Sequence, residues 1–315
     1  MNPFNRALSL IIPDVSASPP PLRVICLALP GRLAEAALQE LLAAYVVPAA
    51  LLLPAPPGSA PLELPPPAAI SGIALAAPPP ALRTLAAAHA VPVFGFDSSG
   101  AQAPYFLQHM HPDVAIVCGW PRRIGPGLLR LPRHGFLNLH PSFLPELRGP
   151  EPLFWAFRSG AERSGVTIHL MDERFDTGPI CAQAPFELPA GTTGAAAEVR
   201  AGALGGRLLL QTLAALVEGR AVAQPQGPGS YRPAPQAADF RLDPGWSARR
   251  AFGFMRGTGE WRQPYPIRIA GRELHLDAAI DYAARASQSH PLQISGEIAA
   301  IQFQPGILHA RLARR

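Results

Sequence analysis

The spacing of apolar and polar positions changes period several times along the chain, and each change marks an element. Residues 22–29, "LRVICLAL", are a short apolar run with β-branched members, closed by Pro30 and Gly31. Such a run predicts a buried strand. Residues 32–45 follow with Leu33, Ala36, Leu38, Leu41 and Leu42 at helical spacing, and "VVPAALLLP" returns to a strand. Strand, helix, strand predicts a parallel sheet with right-handed crossovers. The alternation continues with "LRTLAAAHA" and "AQAPYFLQHM" as helices and "VPVFGF", "PDVAIVCGW" and "FLNLH" as strands. "GPGLLRLPRHG" is a short helix or turn, and "EPLFWAFRSG" is a helix that Gly160 ends. "GVTIHLMD" is a strand with alternating faces, and residues 194–219 are one long helix. The proline- and alanine-rich stretch 54–82 predicts an irregular surface segment with one short strand, "SGIALAA".

Beyond residue 220 the pattern differs. Residues 221–238, rich in proline, glycine and glutamine, predict a linker. "SARRAFGFMRG" predicts a helix with Ser247 as its N-cap. Two strands are expected around the Ala270–Gly271 turn, and "QISGEIAAIQF" and "GILHARLA" are expected as two more. The predicted organisation is an irregular N-terminal extension (1–21), an α/β domain with a Rossmann-like parallel sheet (22–220), a linker (221–238) and a small β-rich domain (239–315). No internal repeat is evident.

Composition adds a few bounds. Hydrophobic residues make up 48% of 315, enough for a full core. The sequence contains no lysine, so all 27 basic residues are arginine. With 39 prolines this reads as base-composition bias rather than function. The net charge of +5 is diffuse and only weakly favours anionic partners. Cys26, Cys118 and Cys181 share no metal or redox spacing, and read as small buried hydrophobes in a reducing compartment. The apolar run before Pro13 is too short for a signal-peptide core or a membrane span. A cytoplasmic location is therefore expected, with neither membrane nor DNA as partner. No metal-ligand cluster or nucleotide-binding glycine pattern appears. His134 and His275 read as surface residues and His169 as a structural one.

The candidate chemistry lies around "FLNLHPSFLPELRG". Asn138 and His140 alternate with Leu137 and Leu139, so on a strand they share one face. They stand at the carboxyl end of that strand, where open α/β sheets bind ligands. Asp176, in the turn after the next strand, is within reach of the same crevice. Singly, these residues read as a turn cap, a structural histidine and a turn former. Together, an amide, an imidazole and a carboxylate serve acyl transfer without a nucleophilic residue. The amide donates to a developing oxyanion, the imidazole shuttles a proton or helps hold the oxyanion, and the carboxylate orients the imidazole.

"GFLNLHPSFLPELRG" followed by "GVTIHLMDERFDTGPI" resembles the formyltransferases that use 10-formyltetrahydrofolate. The motif is Asn-x-His-x-Ser-hydrophobic-Leu-Pro-x-x-Arg-Gly, then Asp-x-Gly after the next strand. Asn138, His140, Ser142, Leu144, Pro145, Arg148, Gly149, Asp176 and Gly178 fill it. Weaker resemblance runs from Leu22 to Glu218. "DPGWSARRAFGFMRG" and "PYPIRIAGRELHLDAA" resemble the C-terminal domain of the members that modify methionyl-tRNA, an OB-like unit that is shortened here. The resemblance implies that Asn138, His140 and Asp176 are catalytic. It implies a folate site at Val117, Cys118, Gly119 and Trp120, with Ser142, Leu144 and Pro145 alongside. Arg148 and Gly149 fall on the acceptor side, Arg148 either buttressing its loop or meeting an anion. The co-substrate implied is 10-formyltetrahydrofolate, without a metal. The acceptor implied is a primary amine, foremost that of charged initiator tRNA. Two departures matter. Residues 33–82 contain no Arg, Lys or His, where tRNA-modifying members carry a basic loop, and Glu146 stands where they often carry a basic residue. A small amine such as a nucleotide-linked amino sugar is the alternative acceptor. A non-catalytic folate- or RNA-binding relative is the alternative class.

Overall fold

Strand β1 (Val24–Ala28) is buried along its whole length because both of its faces are covered. Val24, Cys26 and Ala28 turn toward one core and Ile25 and Leu27 toward another. Such double burial is what a run without polar alternation encodes. A computed structural model describes residues 22–67 and 81–314. The expected extension 1–21 and the expected strand "SGIALAA" lie outside the described residues.

The first unit continues through α1 (Arg32–Ala43), β2 (Ala50–Pro54), β3 (Leu62–Leu64), α2 (Ala81–Ala88), β4 (Val93–Phe96), α3 (Ala103–Met110), β5 (Val114–Cys118) and α4 (Pro126–Leu129). It then adds β6 (Phe136–His140), α5 (Pro152–Ser159), β7 (Arg163–Leu170), β8 (Ile180–Glu187) and α6 (Gly194–Val217). The eight strands form one sheet in the order β3-β4-β2-β1-β5-β6-β7-β8. Strands β4, β2, β1, β5 and β6 are parallel, as the βαβ pattern predicts. Strands β3, β7 and β8 join antiparallel. Neither β3 nor β8 is marked by the sequence pattern: β3 has three residues, and β8 is mostly half-buried with Pro185 inside it.

Helix α6 packs against α1 and β6 through small residues. A Cβ added at Gly205 would stand 2.6 Å from Leu139 Cγ, and one at Gly202 2.8 Å from Ala36 Cβ. That close approach presses Leu139 into the core, so Asn138 and His140 must point away from α6.

The second unit consists of α7 (Ala248–Thr258), β9 (Tyr265–Ile269), β10 (Arg272–Ala283), β11 (Leu292–Ser295), β12 (Ile298–Gln302) and β13 (Ile307–Leu312). Ser247 caps α7 by accepting from the Arg250 N–H, as expected. The five strands form an antiparallel sheet, β11-β12-β13-β10-β9. "QISGEIAAIQF" is two strands, not one, because Gly296 turns at φ 60°. This unit shares its core with the first: Phe154 and Phe157 of α5 bury with Phe254 and Met255 of α7 and with Tyr265.

The stretch 221–238 differs from a free linker. Gln224 and Ile180 exchange both backbone hydrogen bonds at 2.8 Å. Arg148 donates to the Ser230 carbonyl at 3.0 Å and accepts from Arg232 at 2.8 Å. Its composition signals the absence of regular elements, which is not the absence of contacts.

Candidate active site

Strand β6 delivers Asn138 and His140, and β7 lies beside it with His169 opposite Asn138 and Thr167 opposite His140. The loop 141–150 is fixed from beneath by Thr167. Its hydroxyl donates to the Ser142 carbonyl at 2.8 Å and accepts from the Leu144 N–H at 3.1 Å. Ser142 is fully buried, its hydroxyl donating to the Glu146 carbonyl at 2.7 Å. Leu144 is buried as well. Ser142, Leu144 and Pro145 do not line the cavity described below; Ser142 and Leu144 are buried in the interior of the loop. Their motif positions hold the loop in shape.

Because β7 runs antiparallel to β6, the chain leaves it at the wrong end for Asp176 to be near His140 without a return. The loop 171–179 supplies one. Asp172 accepts from the Arg174 N–H at 3.0 Å and from the Thr177 hydroxyl at 2.8 Å. The Leu170 N–H donates to the Pro179 carbonyl at 2.9 Å. Gly178 closes the return, since a Cβ there would collide with the Leu170 carbonyl oxygen. Asp176 sits at φ 55°, in the left-handed region that Asp tolerates better than most residues.

The structure thus brings the three predicted residues together. Asp176 Oδ1 is 3.5 Å from His140 Nδ1, and its Oδ2 accepts from the Gly149 N–H at 2.9 Å. His140 Nε2 donates to the Leu147 carbonyl at 2.9 Å, which leaves Nδ1 as the basic nitrogen of the neutral ring. His169, read from sequence as structural, is a fourth member. Its Nδ1 donates to the Leu170 carbonyl at 2.9 Å, so its Nε2 is an acceptor. Asn138 Nδ2 donates to that Nε2 at 3.1 Å and to Asp176 Oδ1 at 3.3 Å. Both amide hydrogens are therefore engaged, and an oxyanion must displace the longer of these bonds to receive one.

Electrostatics separate the ionisable pair. Burial disfavours the Asp176 carboxylate, but His140 and His169 in their charged forms and the Gly149 N–H outweigh it and hold its carboxyl at about 2. Burial lowers the pKa of His140, opposed by Asp176 and the Leu147 carbonyl. Near neutral pH the site therefore holds a neutral imidazole beside a carboxylate, an arrangement ready to accept one proton.

A cavity of about 600 Å³ opens above these groups. Cys118, Gly119, Trp120, Asn138, His140, Gly149 and Asp176 line it, together with Glu151, Glu198, Phe175 and Tyr231. A smaller one of about 60 Å³ lies behind Asn138 and His169 and is lined by Val117, Trp120 and Arg122. Trp120 faces both, and its indole N–H donates to the Ser98 hydroxyl at 3.1 Å. The preceding residue, Asp97, is buried and accepts from the Ser99 hydroxyl at 2.7 Å and Arg122 at 3.0 Å. Ser99 foremost, with the Gly58 and Ser99 amides and Arg122, keeps its carboxyl below the ordinary value against burial. This network fixes the loop after β5, and nothing in the periodicity announced it.

Arg148 does not line the large cavity. Its guanidinium turns to Gln226, which accepts at 3.1 and 2.8 Å, and to the Gly227 carbonyl at 3.0 Å. Glu151, unmarked by the sequence, has its carboxyl raised to about 7 by burial and then by Glu198. Burial pushes the Cys118 thiol up to about 12, which removes the thiolate that nucleophilic catalysis needs. Among the described residues no group of three His, Cys, Asp or Glu side chains is arranged to hold a metal ion, and no helix is long and apolar enough to cross a membrane.

Comparison with known proteins assigns the family. Residues 88–213 match the model described as formyl transferase. Methionyl-tRNA formyltransferase of Pelotomaculum thermopropionicum is 34% identical over 185 residues, 58% of this chain and 59% of that one. The chain thus spans somewhat more than half the length of that relative, and 52% of each of two others with the same name. Methionyl-tRNA formyltransferase of Aromatoleum aromaticum is 33% identical over 260 residues, 79% of this chain and 78% of that one. Among solved structures, the N-formyltransferase of Helicobacter canadensis, determined with folinic acid and dTDP-3-aminofucose, superposes with a TM-score of 0.63. It is 14% identical, with 91% of this chain and 98% of that chain covered, a likeness of fold. On these matches, and with Asn138, His140, Gly149 and Asp176 gathered at one cavity, the chain belongs to the formyl transferase family.

Proposed function

We propose that this chain transfers a formyl group from 10-formyltetrahydrofolate to a primary amine. The observation that carries the reading is the convergence of Asn138, His140 and Asp176 at the floor of one open cavity in a member of this family. The neutral amine attacks the formyl carbon, a C–N bond forms, and the carbonyl π pair moves to oxygen. One Asn138 N–H leaves Asp176 and donates to that oxygen. The ammonium of the adduct loses its proton to His140 Nδ1, and Asp176 stabilises the imidazolium that results. Collapse breaks the bond to N10, and His140 returns the proton to N10. The site residues shuttle a proton and hold charge, and no bond to the protein forms.

The acceptor we favour is methionyl-tRNA, since the relatives at 33–34% identity carry that name. A small amine is the second reading, and a specific observation favours it. Residues 33–82 hold no cation. In the second unit Arg241 pairs with Glu273 at 2.8 Å, Arg249 pairs with Glu162, and Arg250 lies 4.0 Å over the Trp246 ring. These three arginines are occupied within the protein, while Arg256, Arg262, Arg268, Arg272 and Arg285 make no ion pair among the described residues and are left for phosphates. Transfer from 10-formyltetrahydrofolate to charged initiator methionyl-tRNA, measured across a salt series, separates the two. A tRNA acceptor predicts transfer that weakens steeply as salt rises. Folate binding without transfer to tRNA would reject that acceptor and turn the search to amino sugars.

A further inference from the structure

Gln226 belongs to a stretch whose composition predicts only a connection, yet its amide meets both loops of the site. Its Oε1 accepts from Arg148 Nε at 3.1 Å and Nη2 at 2.8 Å. Its Nε2 donates to the carbonyls of Asp176 at 2.9 Å and Gly178 at 2.7 Å. A primary amide has two acceptor positions and two N–H donors, and all four are used. The residue after Arg148 is Gly149, whose N–H donates to the Asp176 carboxylate at 2.9 Å. The contacts therefore close a ring: Asp176 carbonyl, Gln226, Arg148, Gly149, Asp176 carboxylate. The ring encloses a non-glycine residue at positive φ, a conformation that persists where surrounding contacts over-determine it.

We propose that Gln226 is a positioning residue for formyl transfer: by clamping the Arg148 guanidinium to the Asp176 and Gly178 carbonyls, it keeps the Gly149 N–H on the Asp176 carboxylate and that carboxylate beside His140. The inference rests on the reading of Asp176 as the ionised partner of His140. It also separates two roles for Arg148. A guanidinium turned inward to Gln226 and Gly227 buttresses the loop rather than meeting an anionic substrate.

Gln226→Met keeps the length of the side chain and removes all four hydrogen bonds. In protein labelled with 13C at the aspartate carboxyls, with Asp176→Asn identifying the signal, titration from pH 7 down to about pH 1 reads Asp176 without any acceptor. The expected result is a midpoint raised by roughly one pH unit in Q226M, the size of one weakened charge-assisted hydrogen bond. Arg148→Met cuts the same clamp from its other arm and is expected to raise the midpoint equally, including where Q226M does not fold. In formyl transfer, each variant is expected to lower kcat about tenfold with the KM for folate within about twofold, and the double variant to fall no further. An Asp176 midpoint that stays depressed in Q226M or R148M overturns the clamp and leaves the site reading intact. An ordinary midpoint in the unmodified protein overturns both. Additive losses in the double variant overturn the clamp and return Arg148 to the substrate.

Discussion

Asp176→Asn removes one charge and turns one of the two acceptor oxygens, which meet the Gly149 and Asn138 N–H groups, into a donor. Asparagine fits the same space and tolerates the left-handed backbone at φ 55°. With the folded carboxyl at about 2 and the free value near 3.8, the ionised form is favoured in the fold by roughly 2 kcal/mol. The sign follows from linkage. A depressed carboxyl contributes stability above its unfolded value and loses it as pH falls toward the folded one. D176N is therefore expected to be less stable than the parent by up to about 2 kcal/mol near pH 4.5, by roughly half that at pH 3, and by less than the full amount at pH 7, where His140 is neutral. Urea unfolding at the three pH values measures these differences. The same change takes away the group that raises the basicity of His140 and stabilises its charged form. Formyl transfer should fall on the order of 10²–10³-fold in kcat. A destabilisation as large at pH 3 as at pH 4.5, or a kcat within threefold of the parent, would refute the reasoning.

Three further outcomes follow from the packing and charge of the fold. Gly205→Ala places a methyl against Leu139, so it should destabilise by about 1–3 kcal/mol in thermal unfolding and lower activity by displacing β6. Glu151, raised to about 7 by burial and then Glu198, holds its proton through the interval where the unfolded chain has lost it, so stability should decline as pH rises from about 4.5 to about 7. Glu151→Gln should accordingly be more stable than the parent at pH 8, by on the order of 1–3 kcal/mol, and no different at pH 4. Gly178→Ala drives a Cβ into the Leu170 carbonyl, so the return loop must shift; transfer should be lost at least 100-fold on the scale of a misplaced catalytic group, while folate titration by fluorescence still detects binding.

The parts of this protein visible in its sequence are those with a local cause. The βαβ alternation announced β1, α1 and β2, and the period-2 placement of Asn138 and His140 put both on one face before any contact was known. The formyltransferase motif then gathered Asp176, which periodicity alone left as a turn residue. What escaped depends on contacts distant in the chain. The direction of β7 is not written in its alternation, so the return loop that Gly178 and Asp172 build had no signal. His169 differs from a core histidine only through the register that sets it opposite Asn138. Gln226 lies in a stretch without periodicity, and its role rests on residues 48 to 78 positions away. Ser142 and Leu144 show the reverse case: the motif singles them out, and the structure buries them in the loop's interior.

The central claim is that His140, with Asn138 and Asp176, moves a formyl group without a covalent enzyme intermediate. The most direct measurement compares the parent and His140→Ala in single-turnover transfer from 10-formyltetrahydrofolate, with folate affinity determined on both. The account predicts a transfer rate lowered at least about 100-fold in H140A and a folate Kd within about threefold of the parent. Transfer that survives in H140A at a rate close to the parent's would contradict it.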